Sequence, residues 1–195
     1  ITLDGKMLDN NDIRACRGST FSYVPQGVQA LNPLLSIEKH LRRASQLSGQ
    51  AWNAGQIEHL LERHHLETTV LEAFPRQLSG GMAKRILACH AALSQARYIL
   101  ADEITAWLDA PLANQLLEQL RGLCERGAGV LWVTHDLTLA ARHADRIVAL
   151  HQGTVSDNVS REQLLRGEIS EHLKRQWRAL PERNQLFGER YAVLS

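Results

Sequence analysis

A chain of 195 residues, 44% hydrophobic and 22% charged, has the length and apolar content for one compact core with a small lobe grafted onto it. Its 22 basic and 21 acidic residues leave a formal net charge of +1, which argues against the strongly basic surface of a dedicated nucleic-acid binder. No apolar run approaches the roughly 20 residues that span a bilayer and no signal-peptide pattern opens the sequence, so the expectation is a soluble, cytoplasmic chain.

In chain order, ITLDGK (residues 1–6) reads as a strand running into a turn, and an opening on Ile1 rather than methionine reads as a cut inside a domain. FSYVPQ (residues 21–26) carries β-branched and aromatic residues ahead of Pro25, the pattern of a short buried strand. Residues 36–67 change to helical texture, with Ile37, Leu41, Leu47, Ile57, Leu60 and Leu61 at roughly helical spacing, and form a separate lobe. His64 and His65 on its charged surface read as solvated. After FPRQLSGG a helix is expected from about Met82 to Ser94, and the apolar run RYILADE that follows fits a strand buried on both faces of a parallel sheet. LDAPLANQLLEQLRGLCERG reads as a helix capped by Asp109, with Pro111 in its first turn and Gly127 at its stop. GVLWVTHD is a second buried strand, DLTLAARHA a helix, and RIVALHQGTV a hairpin turning at Gln152-Gly153. Ser160 with Gln163 makes a capping box that opens a helical tail. Strand and helix alternate throughout the second half, which implies an α/β sheet with covering helices. Cys16, Cys89 and Cys124 are widely spaced, form no CxxC pair, and read as buried free thiols.

The chemistry gathers at the ends of the expected strands, where open α/β sheets bind ligands. Asp102 and Glu103 directly follow YILA. Two adjacent acids there suit a division of labour in which one holds a hydrated Mg²⁺ and the other orients and deprotonates a water. The plain alternative is a turn or helix-capping carboxylate. His135 also follows an apolar strand, where an imidazole can reach a terminal phosphate or a water, although an isolated histidine is more often structural. In LSGG, Gly80 and Gly81 let the backbone approach a ligand, Ser79 offers a hydroxyl, and the helix that follows points unpaired N–H groups and its positive end the same way. Such a place suits a phosphate; without one it is a loop and a helix cap. No HExxH spacing occurs, which removes a zinc-protease reading.

The order of these pieces resembles the ATP-binding cassette (ABC) ATPases. SYVPQ is similar to the Q-loop segment, LSGGM to the signature motif, YILADE to Walker B, WLDA to the D-loop and VTHD to the switch-histidine loop. ALNPLLSI after Gln26 and RALPERNQLF near the C-terminus are most similar to the subfamily that energises uptake of nickel, metal chelates, or di- and oligopeptides. The resemblance implies a P-loop NTPase-like α/β core, lacking its N-terminal part, over residues 1–158, with a helical subdomain at about 27–95 and a helical tail over 159–195. It implies two such domains packed head to tail with ATP and Mg²⁺ between them. On that pattern Gln77, Leu78, Ser79, Gly80 and Gly81 grip the partner's nucleotide, Asp102 supports Mg²⁺, and Glu103 is the general base. Gln26 senses the metal and the attacking water, His135 contacts the γ-phosphate, and Asp109 communicates across the dimer. The partners implied are a second ATPase subunit, transmembrane permease subunits docked on the helical lobe, and, indirectly, a substrate-binding protein. The implied location is peripheral, on the cytoplasmic face of the inner membrane, with no nucleic-acid partner.

The sequence departs from that pattern in four places. No G-x-x-x-x-G-K-[ST] occurs; the one Gly-Lys pair, Gly5-Lys6, is followed by Met7, so the β-phosphate cradle of a P-loop is missing from these residues. Ile104 stands where the family usually has proline, Trp107 where a small residue is more usual, and Ala83-Lys84 replace a polar-basic pair, a change expected to weaken the grip on the partner's nucleotide. Besides an importer ATPase, two readings stay open: a non-catalytic subunit that lends its signature motif to a partner, and a soluble cassette protein of DNA repair or translation. The near-neutral charge and the absence of long heptads and zinc cysteines weigh against the last. Without a central Walker A strand, these residues alone are expected to bare core surface and strand edges.

Overall fold

The computed structural model describes residues 2–106 and 108–180, which sort into two compact units, Ile1–Val133 and Thr134–Ser195. The first unit opens with a hairpin where a single strand was expected: β1 (Thr2–Leu3) pairs antiparallel with β2 (Lys6–Met7). Asp4 and Gly5 both take positive φ, 49° and 80°, the geometry of the two-residue turn whose twist matches its flanking strands. α1 (Asn10–Cys16) starts at Asp9, whose side chain accepts from the amides of Asn11 and Asp12.

β3 (Phe21–Val24) then enters the sheet, and the helical lobe follows as α2 (Ile37–Leu47) and α3 (Ala54–Arg63). Ile37, Leu41, Ile57 and Leu61 are buried, which is what their helical spacing demands. α3 ends without glycine. His65 takes φ +49°, the amide of Leu66 donates to Leu61 O at 2.9 Å and that of His65 to Glu62 O at 2.9 Å: a Schellman motif. The left-handed residue turns the chain between neighbours, so His65 is exposed while His64, expected in solvent, is only 4% exposed. Burial first, and then the cations of Arg63 and Arg85 and the neighbouring His65, push the His64 pKa down to about 4.

α4 (Gly80–Ser94) is the central helix of this unit, buried along much of its length and packed against both α2 and β3. β4 (Tyr98–Asp102), α5 (Ala110–Glu125) and β5 (Gly129–Val133) complete it. α5 is capped as the sequence indicates, Asp109 Oδ1 accepting from the Leu112 amide at 3.2 Å, and Gly127 ends it at φ +97°. The sheet is parallel in the order β3-β4-β5, with Tyr23 opposite Leu100 and Leu100 opposite Leu131. The expectation that its strands are buried on both faces is corrected. Ser22, Val24, Ile99 and Ala101 are buried beneath one face, whereas Tyr23 (57%), Leu100 (37%), Leu131 (60%) and Val133 (54%) stand exposed on the other. Alternation along a strand sends these residues to one side, and no described helix covers them.

In the second unit α6 (Leu137–His143) leads to the hairpin of β6 (Arg146–His151) and β7 (Thr154–Ser160), turning at Gln152-Gly153 with φ of 48° and 77°. α7 (Arg161–Leu165) carries the expected Ser160–Gln163 capping box, and α8 (Glu171–Arg178) follows. Ala141, Ile147, Val159, Leu164, Leu173 and Trp177 form this unit's own core. That separate core holds the second unit together as a compact body of its own. Cys89 is a buried thiol as expected, but Cys16 and Cys124 are only half-buried, and none of the three is in a disulfide.

Candidate functional site

Parallel strands present their C-terminal ends together, so the residues after β3 and β4 converge on one edge of the first unit. At that edge Tyr23 donates its phenol O–H to Asp102 Oδ2 at 3.1 Å. The bond to the carboxylate holds the phenol pKa above its usual value and fixes one oxygen of Asp102. Gln26 lies two residues past β3 and is exposed.

Glu103 opens the turn after β4 with φ +48°, a left-handed conformation that costs a non-glycine residue of order 1–3 kcal/mol and persists only where its surroundings hold it. Those surroundings are visible. Its amide donates to Val133 O at 2.9 Å and its carbonyl accepts from the Ala106 amide at 3.0 Å; Ile104 and Thr105 are buried beneath the turn. The carboxylate Oε2 is screened from solvent. A proline at 104 would drive the preceding residue into the extended region, so Ile104 is what permits this geometry.

Sequence reasoning missed Lys84, treating it only as a departure from a pattern. It is 7% exposed, and its Nζ donates to Glu103 O at 3.1 Å and to Ala106 O. Burial pushes its pKa down, against the upward pull of the Glu103 carboxylate. The sequence carries little signal for it, because Arg85 stands beside it and His90 lies in the same helix, although lysine is almost never buried unless paired.

α4 begins two residues before the expected Met82. Ser79 is its N-cap, its Oγ accepting from the Met82 amide at 3.2 Å, so Gly80 and Gly81 form the first turn, whose N–H groups have no acceptor within the helix. Open space lies where a Cβ on Gly80 would project, while one on Gly81 would meet Leu112 at 3.8 Å and Leu108 at 4.0 Å. The donor set is therefore two glycine amides, a serine hydroxyl with its proton still to give, and a positive helix end. It matches the oxygens of a phosphate and fits the nucleotide that the resemblance implies.

The other expected residues have plainer surroundings. Gln77 Oε1 accepts from the Phe74 amide at 2.7 Å, capping its own turn, and Leu78 is half-buried. Asp109 is committed to capping α5. His135 is exposed and belongs to the second unit, one residue ahead of the α6 cap Asp136. Trp107 and the segment from Pro181 onward, which includes most of RALPERNQLF, lie outside the described residues. A cleft of about 660 Å³ lies at the opposite, N-terminal end of β4 and β5, lined by residues including Arg63, Gln95, Arg97, Arg126 and Ala128. The C-terminal ends of α3, α4 and α5 meet there beside those arginines, away from the acid pair and the start of α4.

Comparison with known proteins agrees with the motifs. The family described as "ABC transporter" matches residues 1–106. A nickel import ATP-binding protein of Brucella suis is 34% identical over 158 residues, covering 78% of this chain and 60% of the relative. A peptidoglycan transport ATP-binding protein of Agrobacterium fabrum is 31% identical, over 84% of this chain and 32% of its own length. A glutathione import ATP-binding protein of Escherichia coli is 27% identical, over 92% and 30%. The chain thus spans between about a third and three fifths of these relatives. Among solved structures, an ATP-binding subunit of an ABC transporter superposes with a TM-score of 0.66 at 31% identity, covering 76% of this chain and 62% of that one. A dimeric ATP-binding cassette in a post-hydrolysis state, bound to ADP and Pi, gives 0.69 at 26% identity, covering 81% and 71%.

Proposed function

Because the chain belongs to the ABC transporter family, we propose that it is the ATP-binding and ATP-hydrolysing part of an importer for nickel, metal chelates, or di- and oligopeptides. It would work as one of two cassettes against permease subunits at the cytoplasmic face of the membrane. The observation that carries this reading is the placement of two complementary groups on neighbouring elements: the phosphate-receptive start of α4 and the acid pair that ends β4, joined through Lys84. The names of the nickel and glutathione import relatives support the direction and the class of cargo.

In this reading Ser79, Gly80 and Gly81 bind terminal phosphate oxygens of the nucleotide held by the second cassette. Asp102, one oxygen fixed by Tyr23, would support a hydrated Mg²⁺, which when bound would supply charge neutralisation at the phosphates. Glu103 takes the proton of the attacking water, its carboxylate partly withdrawn from solvent. Gln26 is assigned the orientation of that water and His135 contact with the γ-phosphate, both from the order of the motifs. No G-x-x-x-x-G-K-[ST] occurs in residues 1–195, so this reading assigns the β-phosphate cradle to none of them.

A second reading is that this chain only lends its α4 start to the nucleotide of an intact partner. One experiment separates the two. In the full-length protein assembled with its partners, Glu103→Gln keeps the shape of the side chain and removes its basicity; turnover should fall by on the order of 10²–10⁴-fold with nucleotide binding retained. Undiminished turnover in that variant removes Glu103 as the base and leaves the second reading.

A further inference from the structure

The turn that carries Glu103 is not held by its own strand alone. Its carbonyl oxygens at Glu103 and Ala106 both accept from one ammonium, and that ammonium belongs to α4, 19 and 22 residues earlier. Lys84 reaches them from five residues after Ser79, about 7.5 Å along the helix at 1.5 Å per residue. An ammonium has three donors on a point charge, and here two of them close on carbonyls of one tight turn, beneath which Ile104 and Thr105 are packed. Nothing about helix packing asks for a charge at this buried position; an apolar residue would fill it at less cost. What the charge does is fix the left-handed Glu103 relative to α4. A Cβ built on Gly81 would lie 3.8 Å from Leu112 and 4.0 Å from Leu108, so the start of α4 faces the segment beyond the same turn.

We propose that Lys84 is a positioning residue that ties the turn 103–106 to α4, so that a phosphate seated on Ser79, Gly80 and Gly81 sets the orientation of Glu103. The inference rests on the hydrolytic reading above. It makes the response of the base depend on occupancy of the neighbouring nucleotide site, because α4 is a packed, continuous helix between the two.

The test compares Lys84→Met, which keeps the stem and removes the donors, with Lys84→Gln, which keeps a neutral N–H donor on a shorter stem. Both are made in the full-length protein assembled with its partners, and two quantities are read. The first is amide hydrogen exchange of the peptide spanning residues 103–109, where the Ala106 and Leu108 amides donate to Glu103 O and Thr105 O. Lys84→Met should raise exchange there by roughly tenfold, the loss of a hydrogen bond from a charged donor, with protection elsewhere unchanged. The second is steady-state turnover with ATP. Misplacement of a catalytic group by about 1 Å costs on the order of 10²-fold, so kcat should fall by that order with KM within about twofold, and Lys84→Gln should lie between the variant and the parent in both quantities. Unchanged exchange at 103–109 overturns the tether. Raised exchange with parental kcat overturns the positioning role and leaves Lys84 a structural bond. Absence of turnover in the unsubstituted assembly sinks the hydrolytic reading and the catalytic half of this proposal, while the exchange comparison still decides the tether.

Discussion

Single residues carry more than their types suggest, and His64 is the sharpest case. Its ring is buried, Nδ1 has no hydrogen-bond partner among the described residues, and its pKa is pushed down to about 4 from 6.5. Above pH 6.5 the ring is neutral in both folded and unfolded chains and contributes no pH dependence. As pH falls below 6.5 the unfolded chain takes the proton first, so stability declines until about pH 4, by roughly 3 kcal/mol in total. His64→Leu should remove this component, and its thermal midpoint should fall less than the parent's between pH 7 and 4.5. Parallel pH profiles would show that His64 does not carry the loss. Glu103 and Lys84 make the same point at the candidate site: an acid in a left-handed conformation and a buried cation define each other's position.

At the scale of elements, helix ends decide where the candidate residues stand. Ser79, Asp109 and Asp136 each accept from an amide three residues on, and each of these caps directly precedes or follows a motif residue. The ends at Gly127 and His65 use the same hydrogen-bond pattern with different residues. Glycine takes the left-handed conformation without steric cost, whereas a residue with a Cβ is disfavoured there by roughly 1–2 kcal/mol. His65→Gly should therefore stabilise the chain by about 0.5–1 kcal/mol, read as a higher urea midpoint at unchanged m-value. A lower midpoint would mean that the His65 side chain contributes packing that outweighs its backbone strain.

At the scale of the whole molecule, the first unit carries an apolar sheet face that the described residues leave bare, and β5 is an edge strand with no ladder partner on its outer side among them. Such a face and edge invite association. Residues 1–195 prepared alone should bind a hydrophobic dye and sediment as oligomers. The double substitution Leu131→Thr and Val133→Thr, on exposed positions that retain β-propensity, should reduce both signals. A monodisperse monomer with one cooperative unfolding transition in the parent would contradict this.

Much of the fold was legible in the sequence because local patterns answer to local physics. The period of apolar residues marked α2 and α3, Asp109 and Gly127 marked the ends of α5, and Gln152-Gly153 marked a hairpin. The ordered motifs from Tyr23 to Asp136 identified the family. What the sequence could not supply was anything set by contacts between distant segments. Whether a strand is covered on both faces depends on what packs against it, so β4 and β5 read as doubly buried and are not. His64 reads as solvated because its neighbours are charged, yet one left-handed residue turns it inward. Lys84 reads as a departure from a motif, and only the approach of a turn 19 residues away gives its charge two carbonyls to hold. The sequence by itself determined the family, most of the elements and the candidate residues, because these follow from order, spacing and side-chain type. The tertiary structure alone decided which of those residues meet, since burial and hydrogen bonding are properties of neighbours in space.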